Sequence, residues 1–102
     1  MVRSEYRDFF TKDSQEAVKK LPIPVSASLL RLTVKGTGSI TINARLSQKA
    51  EDTYVLAGVN SSTYETVNSF TGDNMYIVEI SGIASLDITK QGSVEVSLRL
   101  IY

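Results

Sequence analysis

The side chains that could do chemistry in this chain are acids and hydroxyls. Glu51 and Asp52 share one polar stretch, Asp73 sits in a turn-like sequence, and Glu65, Glu79, Asp87 and Glu95 fall at solvent-facing strand positions. Hydrolysis of a glycosidic bond needs two carboxylates at a set separation. A fold could bring Glu79 near Asp87 or Glu95, but nothing in the sequence selects such a pair. Charged side chains on strands have a simpler use, which is to discourage edge-to-edge pairing. Serines are plentiful, yet there is no Gly-x-Ser-x-Gly elbow and no His to activate one. The lack of His also removes the usual general base and the commonest metal ligand. No Cys is present, so disulfides and thiolate metal sites are excluded. A hard cation needs several oxygens in one loop. Glu51-Asp52 and Asp73-Asn74 each fall short of that, and Asp and Asn form a turn at Gly72-Asp73-Asn74 without a metal. The expectation is a non-enzymatic protein with no metal and no cofactor.

Binding chemistry is better represented. Tyr54 and Tyr64 flank the polar stretch Asn60-Ser61-Ser62, with Asn68 and Asn74 close in sequence. Exposed aromatic rings beside amides are what a sugar-stacking site uses, although tyrosine also favours strands for its own sake. Near the start, Tyr6, Phe9 and Phe10 are interleaved with Arg3 and Arg7. Aromatics and Arg dominate interface energies. Such a segment either packs on its own domain or reaches across to a neighbour, as swapped arms do.

Composition narrows the partners. Lys+Arg and Asp+Glu are both 11, giving a formal net charge of zero. Nucleic-acid binding needs a surplus of cations to displace phosphate counterions, and adhesion to anionic membranes needs the same. Neither partner is expected. Apolar runs are only a few residues long, too short to span a membrane. Near-neutral charge is compatible with self-association. Residues 1–10 contain no signal-peptide core, and Met1 suggests a complete gene product made in the cytoplasm.

The elements that must position these groups are strands. A chain of 102 residues supports one core. The composition shifts near Pro22-Ile23-Pro24, and all six glycines follow it. We therefore expect an N-terminal arm over 1–25 and a β-domain over 26–102. Asp13 with Glu16 three residues on reads as a capping box, which predicts a short helix over 14–20. Period-2 alternation predicts strands over 26–35, 39–47, 53–59, 63–70, 75–81, 85–90 and 93–102. Tight turns are expected at Gly36-Thr37-Gly38, Gly72-Asp73-Asn74 and Gln91-Gly92, with a polar loop over 48–52. About seven short strands with regular turns imply an all-β antiparallel β-sandwich, jelly-roll or Ig-like.

A nine-residue pattern occurs twice. Gly38-Ser39-Ile40-Thr41-Ile42-Asn43-Ala44-Arg45-Leu46 is answered by Gly92-Ser93-Val94-Glu95-Val96-Ser97-Leu98-Arg99-Leu100. Each copy would end a hairpin, and the two hairpins either hold equivalent places in the fold or merely share the look of amphipathic strands after a glycine.

Tyr54-Val55-Leu56-Ala57, the run Tyr76-Ile77-Val78-Glu79-Ile80-Ser81-Gly82-Ile83-Ala84-Ser85-Leu86-Asp87-Ile88, and Gly92-Ser93-Val94-Glu95-Val96 together resemble a strand-and-turn pattern of small bacteriophage and prophage virion modules. The resemblance spans 54–100 and does not extend to the charged first 25 residues. It implies a structural β-sandwich of a phage head, tail or fibre, a homo-oligomer (trimer or larger), resident in the virion and in contact with other virion proteins. It carries over no catalytic residue. The alternative expectation is a carbohydrate- or receptor-binding module that meets a cell-surface glycan through Tyr54 and Tyr64.

Overall fold

Twelve even-numbered positions on two long segments, from Leu30 to Ala44 and from Leu86 to Leu100, carry the apolar side of the chain, and these residues are buried. A computed structural model describes residues 3–13, 17–47 and 53–102, and of residues 3 and 4 only the backbone. Among the described residues the fold is entirely β. The strands are β1 (Arg3–Phe10), β2 (Val18–Pro22), β3 (Leu29–Arg45), β4 (Tyr54–Val55), β5 (Gly58–Asn60), β6 (Thr66–Val67), β7 (Phe70–Thr71), β8 (Asn74–Glu79) and β9 (Ser85–Ile101). All pairings are antiparallel. They form one open sheet of nine strands along the path β1-β9-β3-β8-β5-β6, with β2 on β9 and with β4 and β7 on β3.

The two expected hairpins are not hairpins. Gly36-Thr37-Gly38 and Gln91-Gly92 lie inside the continuous 17-residue strands β3 and β9, which pair with each other from Leu29↔Ile101 to Arg45↔Ser85. A straight strand of that length would span about 55 Å. The molecule's longest extent is 32 Å. Both strands must therefore bend, and the bend falls where the glycines are. Gly36, Gly38 and Gly92 have φ of 104°, 143° and 85°. At the crossing Gly38 faces Gly92, and a Cβ added to Gly38 would lie 2.1 Å from the Gln91 carbonyl oxygen. The glycines that signal a turn in the sequence thus serve as a shared kink. Folding the ribbon there turns the two halves of one apolar face toward each other and closes the core without helices.

The repeated pattern is a structural repeat of another kind. The spacing that separates Gly38 from Gly92 also separates Leu32 from Leu86 and Ala44 from Leu98. Leu21 of β2 faces Leu86 and Tyr76 of β8 faces Leu32. Tyr6 of β1 faces Leu98 and Tyr54 of β4 faces Ala44. The chain is thus two copies of one unit, β1-β2-β3 and β4/β7-β8-β9, related about the Gly38–Gly92 pair. The β5–β6 hairpin is inserted in the second copy.

Other expectations change as well. Residues 17–20 do not form a helix: Val18–Pro22 is strand β2, because pairing with β9 and burial of Leu21 outweigh a local cap signal. Residues 14–16 and the loop over 48–52 lie outside the described residues. Leu46, the last apolar residue of the first nine-residue copy, is 63% exposed beyond the end of β3. The strands expected over 53–59 and 63–70 are broken into two- and three-residue pieces. Asn60 is the local cause, since its side-chain oxygen accepts hydrogen bonds from the Ser62 and Thr63 N–H groups at 2.8 and 3.2 Å and forces a turn. The Gly72-Asp73-Asn74 turn forms as expected, with Asn74 Nδ2 donating to the Gly72 carbonyl.

The kink yields a direct expectation. Gly38→Ala should lower stability in urea unfolding by more than ~2 kcal/mol, because strain and backbone overlap add. Gly82→Ala, at φ 81° with open space around the added carbon, should cost only about 1 kcal/mol. Equal small losses at both positions would mean that the crossing tolerates a side chain.

Candidate functional site

The N-terminal segment is built into the sheet. β1 pairs with the last third of β9, Arg3 opposite Ile101 and Tyr6 opposite Leu98, and the register shifts between Tyr6 and Phe10. Asp8, at φ 52°, lies in that irregularity. The shift rotates the chain so that Phe10 enters the core with no exposed surface. Phe9 meets Phe10 edge-on at 5.3 Å between ring centres, and Tyr6 meets Phe9 at 6.4 Å. Lys19 of β2 closes this stack. Its ammonium lies 5.4 and 5.2 Å from the Phe9 and Phe10 ring centres and donates to the Phe9 carbonyl at 2.6 Å. Lys90, itself buried, donates to the Thr11 carbonyl at 2.8 Å and holds the turn that follows. The aromatic cluster is therefore spent largely on fastening β1 and β2 to the core. Arg7 remains exposed, with Glu5 3.8 Å away.

The two tyrosines are both accessible and sit on different elements. Tyr54 is 56% exposed on β4 at the far end of β3, while Tyr64 is 81% exposed in the turn between β5 and β6. Tyr64 adopts φ 61°, and its N–H donates to the Asn60 carbonyl at 2.8 Å, so the Asn60 turn lifts this ring outward. The acids are dispersed by the register. Glu79 stands opposite Leu29, Glu95 opposite Lys35 and Asp87 opposite Asn43. Asp87 is engaged by Arg45 in a half-buried pair at 2.9 and 3.1 Å. Glu51 and Asp52 lie outside the described residues. Among the described residues no cluster of three or more acidic side chains is placed to hold a metal.

The register also assembles a feature that residue types alone do not announce. One rung crosses all six strands of the path: Glu5, Arg99, Arg31, Ile77, Val59 and Thr66. All point to the outer face, opposite the core. Arg99 forms an ion pair with Glu5, whereas Arg31, directly beside Arg99, has a buried Nε with no hydrogen-bond acceptor among the described residues. Both arginines are solvent-side positions of alternating strands in the sequence. That they stand side by side depends on the β3–β9 register, which alternation does not encode.

No family model matches the chain. No curated protein matches it in sequence. Its fold does have solved counterparts. The SPBc2 prophage-derived protein YomS superposes with a TM-score of 0.79 at 13% identity, over 99% of this chain and 94% of that one. The PBSX exported protein XepA superposes with a TM-score of 0.72 at 17% identity, over 98% of this chain. The match covers only 38% of XepA, so the fold corresponds to a part of that larger protein. At these identities the likeness is one of fold; the first counterpart is prophage-derived by name and the second is named an exported protein.

The division of labour on β1 is testable. Phe10→Ala should lower stability by about 3–5 kcal/mol, the usual cost of emptying a core aromatic site. Arg7→Ala should change it by no more than about 0.5 kcal/mol. A Phe10 variant of wild-type stability in chemical denaturation would contradict the core role of this segment.

Proposed function

We propose that this protein is a non-enzymatic structural component of a phage-like virion, acting through self-association and docking. The observation that carries the reading is the match along nearly the whole chain to the fold of a prophage-derived protein of similar length. The strand-and-turn resemblance of 54–100 to virion modules points the same way. In this reading the folded sheet works as a rigid two-layered sandwich, and no chemistry is asked of it. The segment from Arg3 to Arg7 and the adjoining outer face supply contacts to other copies, as a trimer or larger, and to other virion proteins. Phe9 and Phe10 contribute indirectly, by anchoring that segment.

Light scattering coupled to size exclusion at several concentrations tests the assembly. A trimer or larger species is the expected result. A monomer at every concentration would remove self-association from the reading.

A second reading rests on the exposure of Tyr64 at the tip of an inserted hairpin, where a ring in a tight turn can stack on a sugar. If this chain is a glycan- or receptor-binding module, Tyr64→Ala should weaken a glycan found on an array by about tenfold, the worth of one good ring contact. Failure of every arrayed glycan to bind would end that reading, with Tyr54 included.

A further inference from the structure

We propose that the groove over the Arg31–Arg99 rung is a carboxylate-binding site that receives an acidic side chain of a partner protein. The groove is open, has a volume of about 230 Å³ and is lined by Glu5, Arg7, Arg31, Thr33, Ser97 and Arg99, with Met75 on one wall. Three guanidinium groups and one carboxylate meet there in a chain whose overall formal charge is zero. The cationic surplus is therefore local.

Two observations show that the site is incomplete as it stands. Arg31 and Arg99 are direct cross-strand partners, and like charges in that position oppose each other unless an anion lies between them. Arg31 Nε is buried with no acceptor among the described residues, although a guanidinium donor removed from water costs free energy until it is paired. Among the described residues, none on the neighbouring strands relieves this. On β1, Glu5 is committed to Arg99 and lies near Arg7, and the Asp8 backbone N–H contacts the Ser97 hydroxyl at 3.4 Å. On β8, the acid nearest along the strand is Glu79, which stands opposite Leu29 and forms no ion pair among the described residues. On β9, Glu95 stands opposite Lys35.

The ligand class follows from what the groove already holds. Glu5 seats a planar carboxylate on Arg99, and Arg31 offers the same fork one strand over. Guanidinium and carboxylate match in two parallel hydrogen bonds. Thr33 and Ser97, opposite each other in the ladder, place hydroxyls beside that fork. Met75, 41% exposed, provides an apolar wall for the methylene stem of a Glu or Asp, which a hydrated inorganic anion would not use. The chemistry of the groove stands whether or not the protein belongs to a particle.

The test follows the arginine Nε–H signals by NMR while a capped hexaglutamate peptide is added, with capped hexaglutamine and inorganic phosphate as separate arms. The expected result is a saturable shift of the Arg31 signal with hexaglutamate and none with hexaglutamine. Arg31→Gln should weaken binding at least about tenfold, and Arg31→Lys should restore only part of it, since charge returns without the fork. Glu5→Gln should strengthen binding by up to about fivefold, because it removes the internal competitor at Arg99. This last variant keeps the test decisive should an Arg31 variant fail to fold. The absence of a saturable shift, or undiminished binding by a folded Arg31→Gln protein, would overturn the site. Phosphate binding as tightly as the peptide would overturn the carboxylate assignment.

Discussion

Everything in this fold depends on the pairing of β3 with β9. Of the other seven strands, β1 and β2 hydrogen-bond to β9, and β4, β7 and β8 to β3; only the inserted β5–β6 hairpin is attached at one remove, through β8. The long pair is also the source of the core, since both strands send every second side chain inward along their length except at the kink. A flat ribbon would leave that apolar face in water. The glycines at the crossing let the ribbon fold, and the close approach of Gly38 to the Gln91 carbonyl leaves no room there for any side chain. One constraint, a backbone contact too tight for a Cβ, thus decides whether the apolar face is covered.

The repeat gives this arrangement its economy. In each unit a short strand brings an inward residue against the long strand of the other unit: Leu21 on Leu86, and Tyr76 on Leu32. Each unit also delivers one phenylalanine to the core, Phe10 and Phe70. The substitutions between units are compensated locally. Tyr76 occupies the place of Leu21 and so buries a hydroxyl, which donates to the Thr71 carbonyl and accepts from the Thr71 N–H, both at 3.2 Å, with its ring 4.9 Å from Phe70. The units differ most where the second carries the β5–β6 insertion, which is where the most exposed tyrosine lies. Divergence has been placed on the surface and symmetry kept in the core.

Much of the fold was legible in the sequence, and the losses have a common cause. Alternation marks the apolar faces of Leu30 to Val34, Ile40 to Ala44 and Leu86 with Ile88, and these residues are buried, because period 2 is a local property of one strand. The Gly72-Asp73-Asn74 turn was legible for the same reason. What could not be read was pairing. A glycine in a tight turn and a glycine at a strand crossing look alike until the partner strand is known, so two continuous strands were expected as four. The capping box at Asp13 and the lack of alternation before Pro22 concealed β1 and β2, whose strand character comes from docking on β9. For the candidate site, Tyr54 and Tyr64 are both exposed and their stacking role stays a proposal, while Phe9 and Phe10 pack toward Lys19 and the core. The opposition of Arg31 and Arg99 was beyond reach, since it exists only in the register.

The edges of the sheet bear on how such a protein can meet a partner. An open sheet ordinarily invites another strand to add at its rim. Here the path ends at β6, two residues long, and at β1, where the irregularity between Tyr6 and Phe10 interrupts the ladder. Neither of these ends offers a long, flat row of free backbone groups, and the free edge of β2 is five residues long. The inner face is consumed by the core. What remains broad and ordered is the outer face, where a single rung passes from charged Glu5, Arg99 and Arg31 to apolar Ile77 and Val59. A surface graded in this way suits recognition by side chains, with charge fixing orientation at one end and apolar contact adding area at the other. If the protein docks as proposed, its outer face is the better-suited surface and the rim the poorer one.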